Sequence, residues 1–298
     1  MAKNIKALKR ALFPSKYLRR EVDRLSALAA RQHHEIEQLQ KEVRALRHLV
    51  PADWNAFARM MKPLVPHRAR GVEKIRVGAA GDGGYIMLND TAGIEAAYSL
   101  GIGGDVSWDL AMARLGLPIF QFDHTVEGPP VAHELFRFHQ RKIGPVPDPA
   151  SRTVSLDQLL RDNAHLGRNL ILKIDIDGAE WDVIDQLDGD LLKNFRQIIC
   201  ELHDLNRFID PAWNARAARV IAKLTRCHRL IHVHGNNFVL PFWNGVADFP
   251  DVLEASFALA SAFDLVESDE TFPGLLDCAN ARGTPDIPLG NFRFKPTD

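Results

Sequence analysis

Hydrophobic residues recur at alternating intervals of four and three along residues 18–50, which is the repeat of a coiled coil. Mostly branched residues occupy the a positions: Val22, Ala29, Ile36, Val43 and Val50. Leucine predominates at the d positions: Leu18, Leu25, Gln32, Leu39 and Leu46. Branched side chains at a with leucine at d favour a parallel two-stranded coil, so we expect a homodimer. The pattern leaves open a trimer, or a single amphipathic helix packed on its own domain.

Beyond residue 75, short apolar runs alternate with helical periodicities, which is typical of an α/β fold. The expected strands are 94–100, 117–122, 170–174, 195–202, 230–233 and 252–257, and residues 238–242 extend the fifth strand or begin another. Helices are expected at 106–115, 153–160, 181–187 and 211–223. A capping box of Ser155 and Gln158 should begin the second helix. A glycine-rich hairpin is expected at 75–90, and loops at 125–150 and after Pro273.

These patterns divide the chain into a basic arm at 1–17, the coil at 18–50, a proline-containing connector at 51–75 and an α/β domain at 76–298. Residues 1–20 hold seven basic residues and no acidic one, with apolar residues at helical spacing. Such a segment either lies on an anionic membrane surface or stays solvated, and the second is the commoner outcome for a run of charge.

The overall composition, with 46% hydrophobic and 25% charged residues among 298, is that of a soluble globular protein. The net charge of −1 gives no reason to expect a nucleic-acid partner. Three cysteines without metal-ligand spacing suit a reducing compartment. The sequence shows neither a spanning helix nor a secretory signal. We therefore expect a cytoplasmic protein, with peripheral contact at the inner face of the membrane if the basic arm binds lipid.

Glycines follow the strand at 94–100 and lead into the helix at 106–115: Gly101, Gly103 and Gly104, followed by Asp105. Such a turn suits a nucleotide-like ligand, although the GxGxxG fingerprint of dinucleotide sites is absent. Asp123 ends the next strand, 22 residues after Gly101, where an acid can hold ribose hydroxyls. Turn and acid together predict an adenosine-containing cofactor.

Acids and histidines also follow the later strands: Asp175, Asp177, Glu201, His203 and His234. Because the carboxyl ends of neighbouring parallel strands lie close together, we expect these residues to share one site with the glycine turn.

Residues 173–180, KIDIDGAE, follow the glycine turn and the acid in chain order. This order resembles the FkbM-type family of S-adenosylmethionine-dependent methyltransferases, whose hallmark is a strand ending in K-I-D-x-E-G-A-E. Asp177 stands where that family has glutamate, and Ser99 stands where many methyltransferases have an acid. The resemblance covers residues 76–257. Glu180, at the end of the segment, is expected to favour the dipole of the helix that follows.

The resemblance implies a Rossmann-like, seven-stranded methyltransferase sheet in residues 76–298, behind the N-terminal coiled-coil helix. Three glycines would pass beneath the methionine and ribose of S-adenosylmethionine: Gly101, Gly103 and Gly104. Asp123 would bind the ribose, and Asp175 would face the sulfonium or the acceptor. Because Ser99 replaces the usual acid, Asp105 or a backbone carbonyl would contact the methionine amino group.

Methyl transfer to a hydroxyl is the better-known chemistry of that family, so we expect an O-methyltransferase acting on a glycan or a related natural product. The hydroxyl proton has two routes. In one, His203 or His234 acts as the general base beside Asp175. In the other, Asp175, Glu201 and His203 hold a divalent cation such as Mg²⁺, which lowers the pKa of the hydroxyl.

Two other functions are compatible with the sequence. A nicotinamide-dependent oxidoreductase could use a similar sheet, but the missing GxGxxG counts against it. A non-enzymatic scaffold organised by the coiled coil is the second, and the acids at three strand ends count against that.

Overall fold

The structure, a computed structural model, describes residues 16–46, 49 and 52–297. The chain divides into two units, Met1–Val50 and Pro51–Asp298. Most of the predicted basic arm, residues 1–15, lies outside the described residues. Within the described ranges, no helix combines the length and the hydrophobicity that a membrane crossing needs.

Helix α1, Lys16–Leu46, covers most of the predicted coil at 18–50. Several of its a and d residues are exposed and apolar: Leu18, Leu25, Ile36, Leu39, Val43 and Leu46. The stability of a long helix comes mainly from packing of its apolar face, so this stripe needs a partner surface. The helix predicted from the heptads is confirmed, and its pairing stays a prediction.

Seven strands form the central sheet in the described part of the second unit. Across the sheet they are β11 (His228–Gly235), β14 (Leu253–Leu259), β10 (Phe195–Leu202), β9 (Leu170–Ile174), β4 (Ala96–Leu100), β5 (Ile119–Phe122) and β6 (Phe136–His139). β14 runs antiparallel to both neighbours, and the other pairings are parallel. The predicted Rossmann-like, seven-stranded sheet is therefore confirmed.

The middle strands are buried on both faces, as their apolar sequences predict. Every residue of β4 and β9 is buried. Alternate side chains of β9 enter different parts of the core, because successive residues of a strand point to opposite faces. Leu172 and Ile174 pack in one hydrophobic cluster and Ile171 in another. Lys173 shares the second face, so its charge needs partners inside the protein.

Helices join the strands: α3 (Ser107–Arg114), α4 (Leu156–Asp162), α5 (Glu180–Gln186) and α6 (Pro211–Cys227), with 3₁₀ turns at Leu191–Asn194 and Leu205–Ile209. Trp181, Ile184 and Leu187 are buried, which confirms the face predicted from their spacing. Asp210 caps the N-terminus of α6 with its side chain. Trp213 of α6 packs edge-on against Trp181, with ring centroids 5.1 Å apart, and so fixes α6 against α5.

The segment predicted as a connector contributes to the core of the second unit. Residues Trp54–Met61 form helix α2, with Phe57, Met60 and Met61 buried. Phe57 lies at the centre of an aromatic cluster that includes Phe249, 4.9 Å away between ring centroids. The helix is short and is followed by two prolines, which is why the sequence pattern suggests a linker.

The prediction that residues 125–150 form a loop is wrong in part, because β6 and β7 (Lys142–Ile143) lie within this range. β6 is an edge strand with alternating exposure and therefore lacks an apolar run. The predicted capping box is also absent: Ser155 begins α4, but its hydroxyl donates to Asp157 instead of receiving a backbone N–H.

The predicted hairpin at 75–90 is confirmed by β2 (Lys74–Val77) and β3 (Tyr85–Leu88), which pair antiparallel. In the described residues, the other short strands form three two-stranded pairs. These pairs are β1 (His67–Ala69) with β15 (Leu265–Glu267), β12 (Phe242–Trp243) with β13 (Asp248–Phe249), and β7 with β8 (Thr153–Val154). β12 is thus separate from β11.

The direction of chain progression reverses between β4 and β9. From β4 the chain continues to β5 and β6 on one side of the sheet, and from β9 it continues to β10 on the other. The backbone N–H of Asp175 donates to Leu100 O at 2.9 Å, so the carboxyl ends of the two strands meet. Open α/β sheets bind their ligands at such a point.

Candidate active site

A cleft of about 250 Å³ lies at the point where the strand order reverses. The β2–β3 hairpin, the start of α3 and the loops after β4, β5, β6 and β9 form its walls. All the residues predicted to bind a cofactor line it: Gly101, Gly103, Gly104, Asp105, Asp123 and Asp175. Glu201 and His203 are outside this lining, and the contacts of His203 place both next to Asp175.

The three glycines of the turn have different physical roles. Gly101 has φ +79°, and a Cβ there would lie 1.7 Å from the backbone oxygen of Asp175. The close approach of β4 and β9 therefore requires glycine at this position. A Cβ at Gly103 or Gly104 would meet no described protein atom within 4 Å. These two residues leave a bare backbone facing the cleft, which is the surface that a nucleotide-like ligand needs.

Asp123 is held by the glycine turn itself. Its Oδ2 accepts hydrogen bonds from the backbone N–H of Ile102 at 3.0 Å and of Gly103 at 2.9 Å. Its Oδ1 accepts from the backbone and the hydroxyl of Thr125. Burial raises the pKa of Asp123, but these hydrogen bonds outweigh it and hold the pKa below its usual value. Asp123 is thus an ionised residue that fixes the turn, and its contact with a ribose stays a prediction.

Lys173 is a buried cation that connects the turn to Asp175. Its Nζ donates to Gly101 O at 2.8 Å and lies 3.6 Å from Asp175 Oδ2. The same Nζ lies 5.5 Å from the centre of the Tyr85 ring. Lys173 therefore fixes the turn and the carboxylate in one arrangement.

Glu180 is fully buried and connects the loop after β9 to the loop after β10. Its Oε2 accepts from the backbone N–H of Gly178 at 2.9 Å, and its Oε1 accepts from that of His203 at 2.8 Å. The same Oε1 lies 3.1 Å from His203 Nδ1. His203 Nε2 then faces Asp175 Oδ1 at 3.9 Å and Glu201 Oε2 at 3.6 Å. Glu180 thus sets the direction of the imidazole, beyond the dipole role expected from sequence.

Glu201 and His203 both hold their protons more tightly than the isolated side chains do. Burial, with the charges of Asp175 and Glu254, raises the pKa of Glu201 to about 8. Burial lowers the pKa of His203, but the hydrogen bond and charge of Glu180, together with nearby carboxylates, raise it overall to about 9. At neutral pH His203 is therefore positively charged and stabilises Asp175. It becomes available as a base at alkaline pH.

We expect the stability of the metal-free protein to fall as the pH rises from about 6.5 to 9. Glu201 and His203 both have raised pKa values in the folded state. The stability that they contribute is complete below their unfolded pKa values and is lost as the pH passes about 8 and 9. Each group contributes at most about 1.4 kcal/mol per pH unit. Thermal denaturation in EDTA, followed by circular dichroism at a series of pH values, measures this.

Glu201→Gln keeps an oxygen to accept the hydrogen bond from Tyr85 and should flatten the dependence of Tm on pH. Glu95→Gln removes an exposed carboxylate and is the control. Its curve of Tm against pH should run parallel to that of the unsubstituted protein. Parallel curves for all three proteins would show that Glu201 ionises normally.

A second group of carboxylates adjoins the first. Asp82, Glu201 and Glu254 each place a carboxylate oxygen within 4.8 Å of the other two. Tyr85 donates its hydroxyl to Glu201 Oε1 at 2.8 Å, and the amide of Asn280 donates to Asp82 and Glu254. The hairpin and the C-terminal segment therefore supply groups to the same polar region as the central strands.

His234 is outside the lining of the cleft and lies between two acids. Its Nδ1 faces Glu254 Oε2 at 3.0 Å, and its Nε2 faces Asp286 Oδ1 at 3.1 Å. Burial lowers the pKa of His234, but Glu254 and the other nearby acids raise it overall to about 9. Both imidazoles have acids at both nitrogens and a pKa of about 9, but His203 contacts Asp175 of the cleft lining, so position and not basicity favours His203 as the base.

The predicted metal ligands are divided between the two groups. Asp175, Asp177 and His203 offer ligand atoms within 4.8 Å of one another, whereas Glu201 belongs to the group with Glu254. His203 has the orientation of a metal ligand, because a carboxylate holds its Nδ1 and leaves Nε2 facing other acids. Asp175, Asp177 and His203 are thus one group that could hold a cation, and the predicted role of Glu201 as a ligand stays a prediction.

The residues of the site that were not predicted from the sequence include Tyr85, Glu180 in its bridging role, and Glu254. Glu254 carried a usable signal, because a carboxylate within the apolar run of β14 is costly unless it is paired. Tyr85 follows the glycines of the hairpin, where the sequence does not show which way its ring points.

The site combines three features on a sheet of this strand order: a cleft where the strand order reverses, a bare glycine turn, and acids at neighbouring strand ends. This combination is typical of a Rossmann-like methyltransferase. Residues 122–231 match the family model described as Methyltransferase FkbM domain, which confirms the resemblance seen in the sequence.

Two curated relatives of this chain are named as methyltransferase-like proteins. Probable methyltransferase-like protein 24 of Rattus norvegicus is 32% identical over 117 residues, which cover 36% of this chain and 32% of the relative. The Homo sapiens protein of that name is 32% identical over 120 residues, with the same two shares. The alignment thus spans about a third of the length of the curated relatives.

Proposed function

We propose that this protein is an S-adenosylmethionine-dependent O-methyltransferase that acts on a hydroxyl of a glycan or a related natural product. The observation that carries the proposal is the cleft itself, which is lined by bare glycines, the ionised Asp123 and Asp175. The match of residues 122–231 to a methyltransferase domain supports the same class of reaction.

The residues of the cleft fit the cofactor. Gly103 and Gly104 offer backbone with space above it, where a Cβ would meet no described atom within 4 Å. Asp123 holds the turn in place and lines the same wall, where ribose hydroxyls could bind. S-adenosylmethionine supplies an electrophilic methyl group when it is bound. The remaining requirements are an aligned acceptor and a destination for its proton.

Asp175 is the proposed contact for the acceptor hydroxyl. It is part-exposed in the cleft, whereas Glu201 and His203 lie behind it. Lys173 and Tyr85 hold its Oδ2 in place, at 3.6 Å and 3.4 Å. Asp175 thereby accepts or relays the hydroxyl proton, and His203 receives it at the alkaline pH where the imidazole is neutral.

A divalent cation is the second route for the hydroxyl proton. Asp175, Asp177 and His203 would hold it through two carboxylates and one imidazole nitrogen, a donor set that suits Mg²⁺ or Mn²⁺. Such a cation lowers the pKa of a bound hydroxyl, so no protein base would need to be strong.

Mass spectrometry of candidate glycans tests the proposed reaction. Protein and methyl donor should add about 14 Da, the difference between a methyl group and a hydrogen. The same incubation with EDTA separates the two routes, because chelation stops methylation if the cation is needed. A panel of hydroxylated acceptors that gains no mass, with a protein that does not bind the donor, would contradict the proposal.

We also propose that helix α1 pairs with a second copy of this chain. Its apolar a and d residues are exposed over more than four heptads, which is the length and pattern of a coiled coil. Charged residues occupy the other faces, as a two-stranded coil in water requires.

Leu25→Asp is expected to dissociate this dimer, because a carboxylate at a d position would be buried against its counterpart. Ala27→Asp adds the same charge at an outer position of the same heptad and should leave the dimer intact. Sedimentation equilibrium of the full chain measures both. A protein that is monomeric before substitution, or a trimer, would contradict the proposed pair.

A further inference from the structure

Helix α3 places a buried acid at the floor of the cofactor cleft. Asp109 is 1% exposed, yet it lines the cleft together with its neighbour Trp108. Its Oδ1 accepts a hydrogen bond from Gln121 Nε2 at 2.8 Å. Ser99 also donates to this carboxyl and the charge of Lys173 acts on it, but they do not offset its burial in full, since the pKa of Asp109 is still raised.

Two buried polar atoms beside this acid have no hydrogen-bond partner within the described residues: Gln121 Oε1 and Trp108 Nε1. Ser99 and Gln121 face each other in the register of β4 and β5, and Gln121 contacts Asp109. Buried polar atoms are rarely left without a partner, and those in a ligand site are completed by the ligand. This polar floor therefore has the capacity to bind a charged or polar group.

Two other oxygens at this end of the cleft already accept hydrogen bonds within the protein. Position 99, where many methyltransferases have an acid, is serine. The carbonyl of Gly101 accepts from Lys173 Nζ at 2.8 Å, and Asp105 Oδ1 accepts from the backbone N–H of Ser107 at 2.7 Å. Asp109 is the acid whose burial and position suit the missing contact.

We propose that Asp109 binds the α-ammonium group of the methionine portion of S-adenosylmethionine, in place of the acid that Ser99 replaces. This inference rests on the proposed function and adds a binding residue to it. Burial raises the pKa of Asp109 despite the opposing charge of Lys173, so a second cation at this carboxyl would favour its ionised form.

Two nucleosides test the assignment by calorimetry. S-adenosylhomocysteine carries the α-ammonium group, and 5′-methylthioadenosine lacks the whole amino-acid portion. Asp109→Asn should weaken binding of S-adenosylhomocysteine by about tenfold or more, the usual loss for a hydrogen bond to a charged group. It should leave the affinity for 5′-methylthioadenosine within about twofold. Asp105→Asn should show no such selectivity.

The controls separate this inference from the proposed function. If the unsubstituted protein binds neither nucleoside, the proposed function fails. If it binds both and Asp109→Asn weakens both equally, or neither, then Asp109 has a structural role and the assignment is wrong. Selective loss in Asp105→Asn would also overturn it. If Asp109→Asn does not fold, Asp109→Glu provides the same comparison, since the displaced carboxylate should still weaken S-adenosylhomocysteine selectively.

Discussion

Gly101→Ala should strongly destabilise the second unit, with a loss of at least about 4 kcal/mol in the free energy of unfolding. The new Cβ would lie 1.7 Å from the backbone oxygen of Asp175, and φ at this position is +79°. Neither conflict can be relieved by a side-chain rotation, because the neighbouring atom is backbone. The β4–β9 contact through Leu100 O and Asp175 N–H would have to open. Thermal denaturation should show a Tm lower by about 10 °C or more.

Gly104→Ala is the matched control. A Cβ at this position meets no described atom within 4 Å, so Tm should change little, within about 0.5 kcal/mol in stability. The same methyl group would project from the surface proposed to contact the cofactor, so binding of S-adenosylmethionine should weaken by about tenfold or more. A Gly101→Ala protein with an unchanged Tm would show that β4 and β9 are not packed as described.

Asp175→Asn should lower the rate of methyl transfer by about 10²- to 10⁴-fold, the usual contribution of a general base. The amide cannot accept the hydroxyl proton, although it preserves the shape of the side chain and the contact with Tyr85. The fold should survive, because Asp175 is part-exposed and one oxygen still faces Lys173. Initial rates on the acceptor found by mass spectrometry, with circular dichroism as the check on folding, measure this.

Asp177→Asn separates the two chemical routes. Asp177 is exposed and lies two residues from Asp175. It belongs to the candidate cation site with Asp175 and His203, and it has no part in the route that uses a protein base. If a protein base is sufficient, Asp177→Asn should retain most activity and EDTA should have little effect. If a cation is needed, both should lower the rate about as strongly as Asp175→Asn. Full activity of Asp175→Asn would contradict both routes and favour a role for this acid in structure alone.

The sheet could be predicted from the sequence because its central strands are buried on both faces. β9 and β10 begin and end where their apolar runs do. β6 could not be predicted, since an edge strand with alternating exposure has no such run. Helix α2 could not be predicted, because it is short and prolines follow it.

The sequence predicted those residues of the site that lie at the carboxyl ends of parallel strands. Asp123 and Asp175 line one cleft with the glycine turn because the topology places their strand ends together. The protonation states could not be predicted, because the raised pKa values of Glu201 and His203 depend on Glu180 and Glu254, which are remote in sequence. The same holds for Asp109, which reaches the cleft from a helix.

Calorimetric titration of the full chain with S-adenosylmethionine tests most directly whether this cleft is a cofactor site. We expect one binding event per chain with a Kd of about 1–100 µM, which corresponds to a binding free energy of about −8 to −5.5 kcal/mol. Gly104→Ala should weaken it, and NADH should not compete. Absence of binding up to about 1 mM S-adenosylmethionine by a folded protein would contradict the assignment.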